Sequence, residues 1–173
     1  MCIRDSLPGW DKIPLKKILE AEFSLPIQVD HDAGACALAE YYWGAAKKLH
    51  SVVYLTCGTG FGMGIVIDGN IYYGAHGHNC EIGHARYADD GPIAFGKAGS
   101  YESYCAGSSL GSLANHLGKI WIEKVNSVFS EEALPDAQQI CKITPSALGK
   151  KLQDYSAIAV AHKMSGIFEK KAP

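Results

Sequence analysis

A glycine-rich segment between two apolar runs restricts the fold of this chain more than any other feature. The run Ser51–Cys57 is typical of a buried strand, Gly58–Gly64 interrupts it, and Ile65–Ile67 resumes the apolar pattern. Glycine allows the backbone to turn tightly or to approach another group closely. Asp68-Gly69 is a strong hairpin signal, and the chain returns as Ile71–Tyr73. The sequence therefore predicts strand, glycine loop, strand and hairpin.

Composition excludes several classes of protein. A length of 173 residues corresponds to one domain or to one and part of a second, and 47% hydrophobic with 20% charged residues is an ordinary globular composition. No apolar run approaches the ~18 residues of a membrane-spanning helix. The net charge of -2 gives no electrostatic reason to expect nucleic acid or an anionic membrane as a partner. Six dispersed cysteines without a CxxC pair indicate reduced thiols in the cytoplasm.

Helical spacing recurs outside the glycine region. An amphipathic helix is predicted from Pro14 to Phe23, followed by a short strand at Pro26–Asp30 and an alanine-rich helix from Asp32 to about Leu49. The pattern is helical again from Tyr101 onward. A further helix is expected to begin after Thr144-Pro145, because threonine can cap and proline can occupy a first turn.

Asp32 has two interpretations. A carboxylate at a helix start is stabilised by the exposed N–H groups, so Asp32 taken alone is more often a plain N-cap. The alternative is a general base that accepts the proton of a hydroxyl attacking a phosphoryl group.

The glycine loop also has two interpretations of about equal weight. Backbone N–H groups of Gly58, Gly60 and Gly62, with the Thr59 hydroxyl, could cradle a phosphate. The same residues could form only a tight β-hairpin. The segment does not match a P-loop or a Rossmann fingerprint.

Glu81 and His84 lie three residues apart, which places them on one helical or turn-like face. They could bind vicinal hydroxyls, although a salt-bridged surface turn is the commoner explanation of an isolated pair. Glu102 could be a helix N-terminal charge or a further sugar ligand. Lys150 and Lys151 are expected on a solvated helix face. A metal site is disfavoured, because no standard zinc spacing is matched by His76, His78, Cys80 and His84.

The order and spacing of these segments, from about Ile27 to Leu110, resemble the ROK family (repressor, open reading frame, kinase). The resemblance rests on Asp30-His31-Asp32-Ala33, Ala39-Glu40, Gly44, Gly58-Thr59-Gly60-Phe61-Gly62, Asp68-Gly69, Gly74, Glu81-Ile82-Gly83-His84 and Gly96-Lys97-Ala98-Gly99-Ser100-Tyr101-Glu102. It implies an α/β protein with the two-lobed, actin-like ATPase (ribonuclease H-like) fold. It also implies a homodimeric sugar kinase that uses ATP and Mg²⁺.

The resemblance assigns roles residue by residue. Asp32 matches the catalytic base, and Gly58, Thr59, Gly60 and Gly62 match a phosphate-binding segment. Residues that hold the sugar, a hexose or N-acetylhexosamine, are matched by His31, Glu81, His84 and Glu102. His31 stands where the kinases usually have asparagine, a change also found in some repressors of the family.

Many members of the family carry a zinc site, whose three cysteines correspond to Ile93, Phe95 and Ser100 in this chain. No structural zinc is therefore expected. Ile93 and Phe95 are expected to replace the metal by apolar packing, which leaves His84 for the sugar.

The family's N-terminal DxGGT loop and its C-terminal glycine pair find no match, so the fold is expected to be truncated at both ends. Residues 1–6 are expected to be a non-native leader, 7–45 the end of the small lobe, and 46–173 an incomplete large lobe. The parent protein is expected to be a kinase and the fragment weak or inactive. The alternatives are a sugar-sensing transcriptional repressor of the same family and a catalytically dead sugar-binding protein. No contact of this segment with nucleic acid or membrane is expected.

Overall fold

The computed structural model describes residues 13–77, 80–94, 96–106 and 122–165. The expected leader 1–6 and the predicted helical positions Leu110, Leu113 and Leu117 lie outside them. The regular elements are α1 (Leu15–Phe23), α2 (Asp32–Trp43), β1 (Ser51–Cys57), β2 (Phe61–Ile67), β3 (Asn70–Ile71), β4 (Ile93–Ala94), β5 (Lys97–Ala98), α3 (Tyr101–Cys105), α4 (Pro135–Ile140) and α5 (Leu152–Met164). Residues 122–132 are also helical, and 3₁₀ turns span Ile82–His84 and Gly149–Lys151.

The first three strands form an antiparallel sheet in the order β1-β2-β3. Cys57 pairs with Phe61 across a turn of residues 58–60. The second turn has left-handed backbone at Asp68 (φ 47°) and Gly69 (φ 75°), the conformation that a two-residue hairpin favours. The predicted order of strand, glycine turn, strand and hairpin is confirmed.

The core lies between one face of this sheet and the helices α2 and α5. Its fully buried members include the alanines and leucine of α2 that face inward, namely Ala37, Leu38 and Ala39. Val66 and Ile71 of the sheet and Ala159 of α5 pack against them. The expectation that β1 is buried is wrong: side chains alternate along a strand, and the inward face of β1 is only partly buried. On its other face Val53 is 56% exposed and Leu55 is 54% exposed, as far as the described residues go.

Helix α2 approaches strand β2 backbone to backbone. A Cβ atom on Gly64 would lie 2.0 Å from the carbonyl oxygen of Ala33, and one on Gly62 would lie 3.6 Å from the Ala33 Cβ atom. Gly62 was expected in the loop, but it lies in β2 and pairs with Thr56. These two glycines therefore allow the first turn of α2 to rest on the sheet.

Two helix predictions miss a boundary for the same reason. Helix α2 ends at Trp43, not near Leu49, and the helix expected after Thr144-Pro145 begins later, with the 3₁₀ turn Gly149–Lys151 and then α5 from Leu152. The buried carboxylate of Glu40 accepts hydrogen bonds from the Ala45 amide at 2.7 Å, from the Ala147 and Leu148 amides at 3.3 Å each, and from the Ser146 hydroxyl. These bonds hold both chain segments in non-helical conformations.

The predictions for the first helix and for a strand at Pro26–Asp30 had different outcomes. Helix α1 is confirmed, with Pro14 just before its first residue. Pro26–Asp30 is not a strand, because it has no ladder partner among the described residues. The division into lobes near residue 45 stays a prediction. None of the helices within the described ranges is long and apolar enough to cross a membrane.

Replacing Gly64 by alanine should destabilise the fold. The added methyl group would overlap the Ala33 carbonyl, and overpacking of this kind costs about 1–3 kcal/mol in the free energy of unfolding. Gly58→Ala is the matched control, since a Cβ there meets nothing within 4 Å. Urea unfolding of both variants measures the difference, and equal midpoints would contradict the close contact.

Candidate functional site

Asp32 is the first residue of α2, and His31 is the residue that caps the helix. The interpretation of Asp32 as the N-cap is therefore wrong by one position. One carboxylate oxygen of Asp32 accepts the Ala33 N–H at 2.7 Å, while the side chain as a whole remains 89% exposed. A carboxylate held at a helix start and open to solvent is available to a ligand.

His31 joins Asp32 to a second element of the structure. Its Nδ1 atom lies 3.7 Å from an Asp32 carboxylate oxygen, and its Nε2 atom lies 4.0 Å from a Glu81 carboxylate oxygen. The Nδ1 atom is buried and has no hydrogen-bond partner within the described part of the chain. The structure thus brings together three residues that the sequence singled out.

The chain entering α2 is fixed by Asp30, which sequence reasoning did not assign a role. Its carboxylate accepts the His31 N–H at 2.8 Å and the Tyr73 hydroxyl at 2.5 Å. Burial, together with this hydrogen bond to Asp30, raises the pKa of Tyr73. The signal for this contact in the sequence was the position of Asp30 just before the predicted helix.

Glu102 fastens α3 to the end of the glycine turn. It is 8% exposed and accepts the Phe61 N–H at 2.9 Å. A Cβ atom on Gly83 would lie 2.3 Å from the Phe61 carbonyl oxygen and 3.1 Å from a Glu102 carboxylate oxygen. The turn that carries Glu81 and His84 therefore packs directly on Glu102, because its central residue is glycine.

The glycine turn itself is a hairpin connection. The Gly58 N–H donates to the Gly60 carbonyl at 2.9 Å, and Thr59 is exposed. A Cβ atom on Gly60 would lie 3.0 Å from Glu102. The hairpin interpretation is confirmed, and phosphate binding by the turn stays a prediction.

The side chain of His84 is exposed, and its carbonyl oxygen accepts a hydrogen bond from Lys97. Strand β1 and α3 also meet where the Cys57 thiol donates to the Cys105 carbonyl at 2.8 Å. These contacts gather the turn at 82–84, the glycine turn and α3 around one region. Sugar binding by Glu81, His84 and Glu102 remains untested.

The segment that resembles the family's zinc loop is held by backbone contacts. Ile93 is 74% exposed, so the expected apolar packing of this residue is wrong, and Phe95 lies outside the described residues. The Gly99 carbonyl instead accepts the amides of Tyr87 and Ala88 at 2.8 and 3.0 Å. No three His, Cys, Asp or Glu side chains in the described segments could hold a metal ion; His78 lies outside those segments. The absence of zinc stays a prediction.

A cavity of about 450 Å³ opens beside Asp32, between α2, β1 and residues 149–156. Asp32, Tyr54, Thr56 and Lys150 are among its lining residues. Burial raises the pKa of Tyr54 to about 12. Lys150 is exposed, as expected of a solvated face, and it is also one of the residues that line this cavity.

Comparison of the sequence with known proteins identifies relatives of this chain. The profile described as "ROK family" matches residues 3–164. The chain is 30% identical over 163 residues to the xylose repressor of Caldicellulosiruptor bescii. The aligned region covers 90% of this chain and 39% of the repressor. The chain is 40% identical over 108 residues to the glucokinase of Halalkalibacterium halodurans. That aligned region covers 61% of this chain and 33% of the glucokinase. The chain thus spans about two fifths of these relatives or less.

Solved structures agree on the fold. The ROK hexokinase of Thermus thermophilus superposes with a TM-score of 0.66 at 23% identity, over 94% of this chain and 74% of that one. The ROK glucokinase of Streptomyces griseus, solved with glucose and AMPPNP, superposes with a TM-score of 0.55 at 33% identity, over 71% of this chain and 40% of that one. The expected actin-like ATPase fold is confirmed.

The raised pKa values of Tyr54 and Tyr73 predict an alkaline loss of stability. Above about pH 10 the unfolded chain releases these phenolic protons while the folded chain retains them, so the free energy of unfolding should fall as pH rises. Tyr73→Phe should flatten this fall, and Tyr72→Phe, on the exposed neighbouring residue, should not. Urea midpoints measured between about pH 9 and about pH 11 test this. Parallel curves for the two variants would contradict it.

Proposed function

The chain belongs to the ROK family, and on that premise we propose that its parent protein is an ATP-dependent hexose kinase. Relatives named glucokinase and fructokinase support a sugar kinase. The finer statement, that Asp32 is the general base, is our own assignment. We extend the proposal to a homodimer that acts in the cytoplasm, as the family resemblance implies.

The position of Asp32 carries this proposal. Its carboxylate is 89% exposed, it begins a helix that rests on the sheet, and it lies between the His31–Glu81 pair and a cavity of about 450 Å³. Phosphoryl transfer depends on positioning and on charge stabilisation rather than on covalent chemistry by the protein. A fixed carboxylate with open space beside it suits the role of accepting a hydroxyl proton.

In the proposed reaction Asp32 accepts the proton of a sugar hydroxyl. The hydroxyl oxygen forms a bond to the γ-phosphorus of ATP, the bond from that phosphorus to the β,γ-bridging oxygen breaks, and ADP leaves. The Asp32 hydrogen bond from the Ala33 amide holds one carboxylate oxygen in place, and the other oxygen would accept the proton.

The sugar would lie on the His31 side of Asp32. There the imidazole of His31 and the carboxylate of Glu81 are 4.0 Å apart and can together donate to and accept from neighbouring hydroxyls. His84 and Glu102 complete this proposed set. The buried Glu102 already binds the Phe61 amide, so its contribution includes holding the glycine turn, the predicted phosphate-binding segment, next to the sugar-binding residues.

Mg²⁺ fits this site as a partner of the nucleotide. This ion keeps several water ligands and is usually held by one or two carboxylates plus substrate phosphates, so a dedicated cluster is not required. Asp32 lines the cavity with an exposed carboxylate, so it would be available to water ligands of such an ion. When bound, the ion would neutralise charge on the phosphates.

A sugar-sensing repressor is the second candidate. The match to a xylose repressor spans 90% of this chain, and His31 replaces the asparagine expected of a kinase. In that case the same residues would bind an effector sugar without phosphoryl transfer. A catalytically dead sugar-binding protein would behave likewise, but without a DNA-binding segment in the parent.

Asp32→Asn in the full-length parent should reduce kcat by about 10²–10⁴-fold, because it removes the general base. Sugar binding should change little. A coupled assay of ADP release with Mg-ATP, over a panel of hexoses and N-acetylhexosamines, measures turnover. Asp68→Asn is the matched control, an exposed hairpin carboxylate that pairs with His50. Undiminished turnover in Asp32→Asn would end the assignment.

Glu81→Ala should weaken sugar binding by roughly 1–3 kcal/mol, because a charged hydrogen-bond acceptor is lost. Calorimetric titration with the sugar selected by the activity panel gives the dissociation constant. Glu132→Ala, on an exposed helical residue, serves as the control. An unaltered dissociation constant would return Glu81 to a surface role. Sugar binding by wild-type protein without any ADP release would favour the repressor or the inactive binding protein.

A further inference from the structure

Two residues of opposite charge, Asp32 and the exposed Lys150, line the same cavity and form no ion pair with each other. Among the described residues that line it, Asp32 carries the negative charge and Lys150 the positive one, and the other members are neutral. No ion pair links Lys150 to Asp32 or to another described carboxylate. An ammonium group in the wall of a cavity of about 450 Å³ is open to an anionic ligand.

The backbone that carries Lys150 is fixed from outside its own turn. The buried Glu40 carboxylate binds the Ser146 hydroxyl and the Ala147 and Leu148 amides, and the Ser146 hydroxyl in turn accepts the Gly149 N–H at 3.3 Å. The Lys151 N–H then donates to the Leu148 carbonyl at 3.1 Å. Lys150 is therefore presented by an anchored turn, although its side chain is long.

A phosphate donor beside Asp32 has an electrostatic difficulty. The carboxylate that is proposed to accept the sugar proton repels a nucleoside triphosphate, and a cation at the same cavity would offset that repulsion. Lysine suits this task, because its ammonium is a compact point charge that binds phosphate from a flexible stem. We propose that Lys150 binds the phosphate groups of the nucleotide in this cavity, while the sugar lies on the His31 side of Asp32.

This inference rests on the proposed kinase function and names a residue that the function alone does not require. Sequence spacing grouped Lys150 with Lys151 on a solvated face. The cavity separates them, because Lys150 is part of its lining and Lys151 is not. The neighbouring lysine therefore provides a matched control.

The test compares Lys150→Gln and Lys151→Gln in the full-length parent. Lys150→Gln should raise KM for Mg-ATP about tenfold or more, as expected for the loss of a charged hydrogen bond, with KM for the sugar unchanged. Lys151→Gln should change neither value by more than about twofold. Lys150→Arg should recover most of the lost affinity, because it restores the charge. Equal effects of the two glutamine variants would overturn the proposal.

A binding experiment separates this proposal from the kinase function. Calorimetry with inorganic tripolyphosphate should give a dissociation constant for wild-type protein that rises about tenfold in Lys150→Gln and stays unchanged in Lys151→Gln. If the wild-type parent releases no ADP but the tripolyphosphate affinities follow this pattern, the kinase function is refuted and the phosphate site is retained. ADP release together with identical tripolyphosphate affinities in all three proteins would retain the kinase and refute the role of Lys150. Failure of tripolyphosphate to bind the wild-type protein would also refute it.

Discussion

The contact between the first turn of α2 and strand β2 determines the arrangement of the candidate site. Gly62 and Gly64 leave no side chain between the Ala33 backbone and the strand, so the helix lies directly on the sheet. Because Asp32 immediately precedes Ala33, this contact also sets the position of the proposed base relative to the glycine turn. A larger residue at Gly64 would displace helix and carboxylate together.

Two buried carboxylates extend this arrangement to distant parts of the chain. A buried carboxylate is costly unless several donors satisfy it. Glu40 meets this condition with donors near residue 45 and at 146–148, and Glu102 meets part of it with the Phe61 amide. Glu40 thereby anchors the turn that carries Lys150, and Glu102 anchors the glycine turn. Each carboxylate therefore holds a segment that lies next to the site in space but far from the carboxylate in the sequence.

The two sides of Asp32 differ in chemistry. On one side the imidazole of His31 and the carboxylate of Glu81 offer the mixed donors and acceptors that suit hydroxyl groups. On the other side the cavity offers hydroxyl groups and one ammonium, which suit phosphate. The ROK family includes kinases and repressors, and a repressor would require only the sugar side. Under our proposal, the charge of Lys150 at the cavity is the feature that would distinguish a kinase from a repressor.

Local sequence was sufficient where local chemistry decides structure. Asp68-Gly69 specified its hairpin because both residues tolerate left-handed backbone, and the apolar run Ser51–Cys57 indicated a strand, although not its exposed face. The order of motifs likewise identified the family, and with it the fold. The tertiary structure decided what depends on residues far apart in the chain. It ended α2 at Trp43, kept 144–148 out of a helix through Glu40, and placed the exposed Lys150 beside a cavity that also borders Asp32. Hydrogen bonds to a buried carboxylate more than a hundred residues away leave no trace in local periodicity, which is why only the folded chain revealed them.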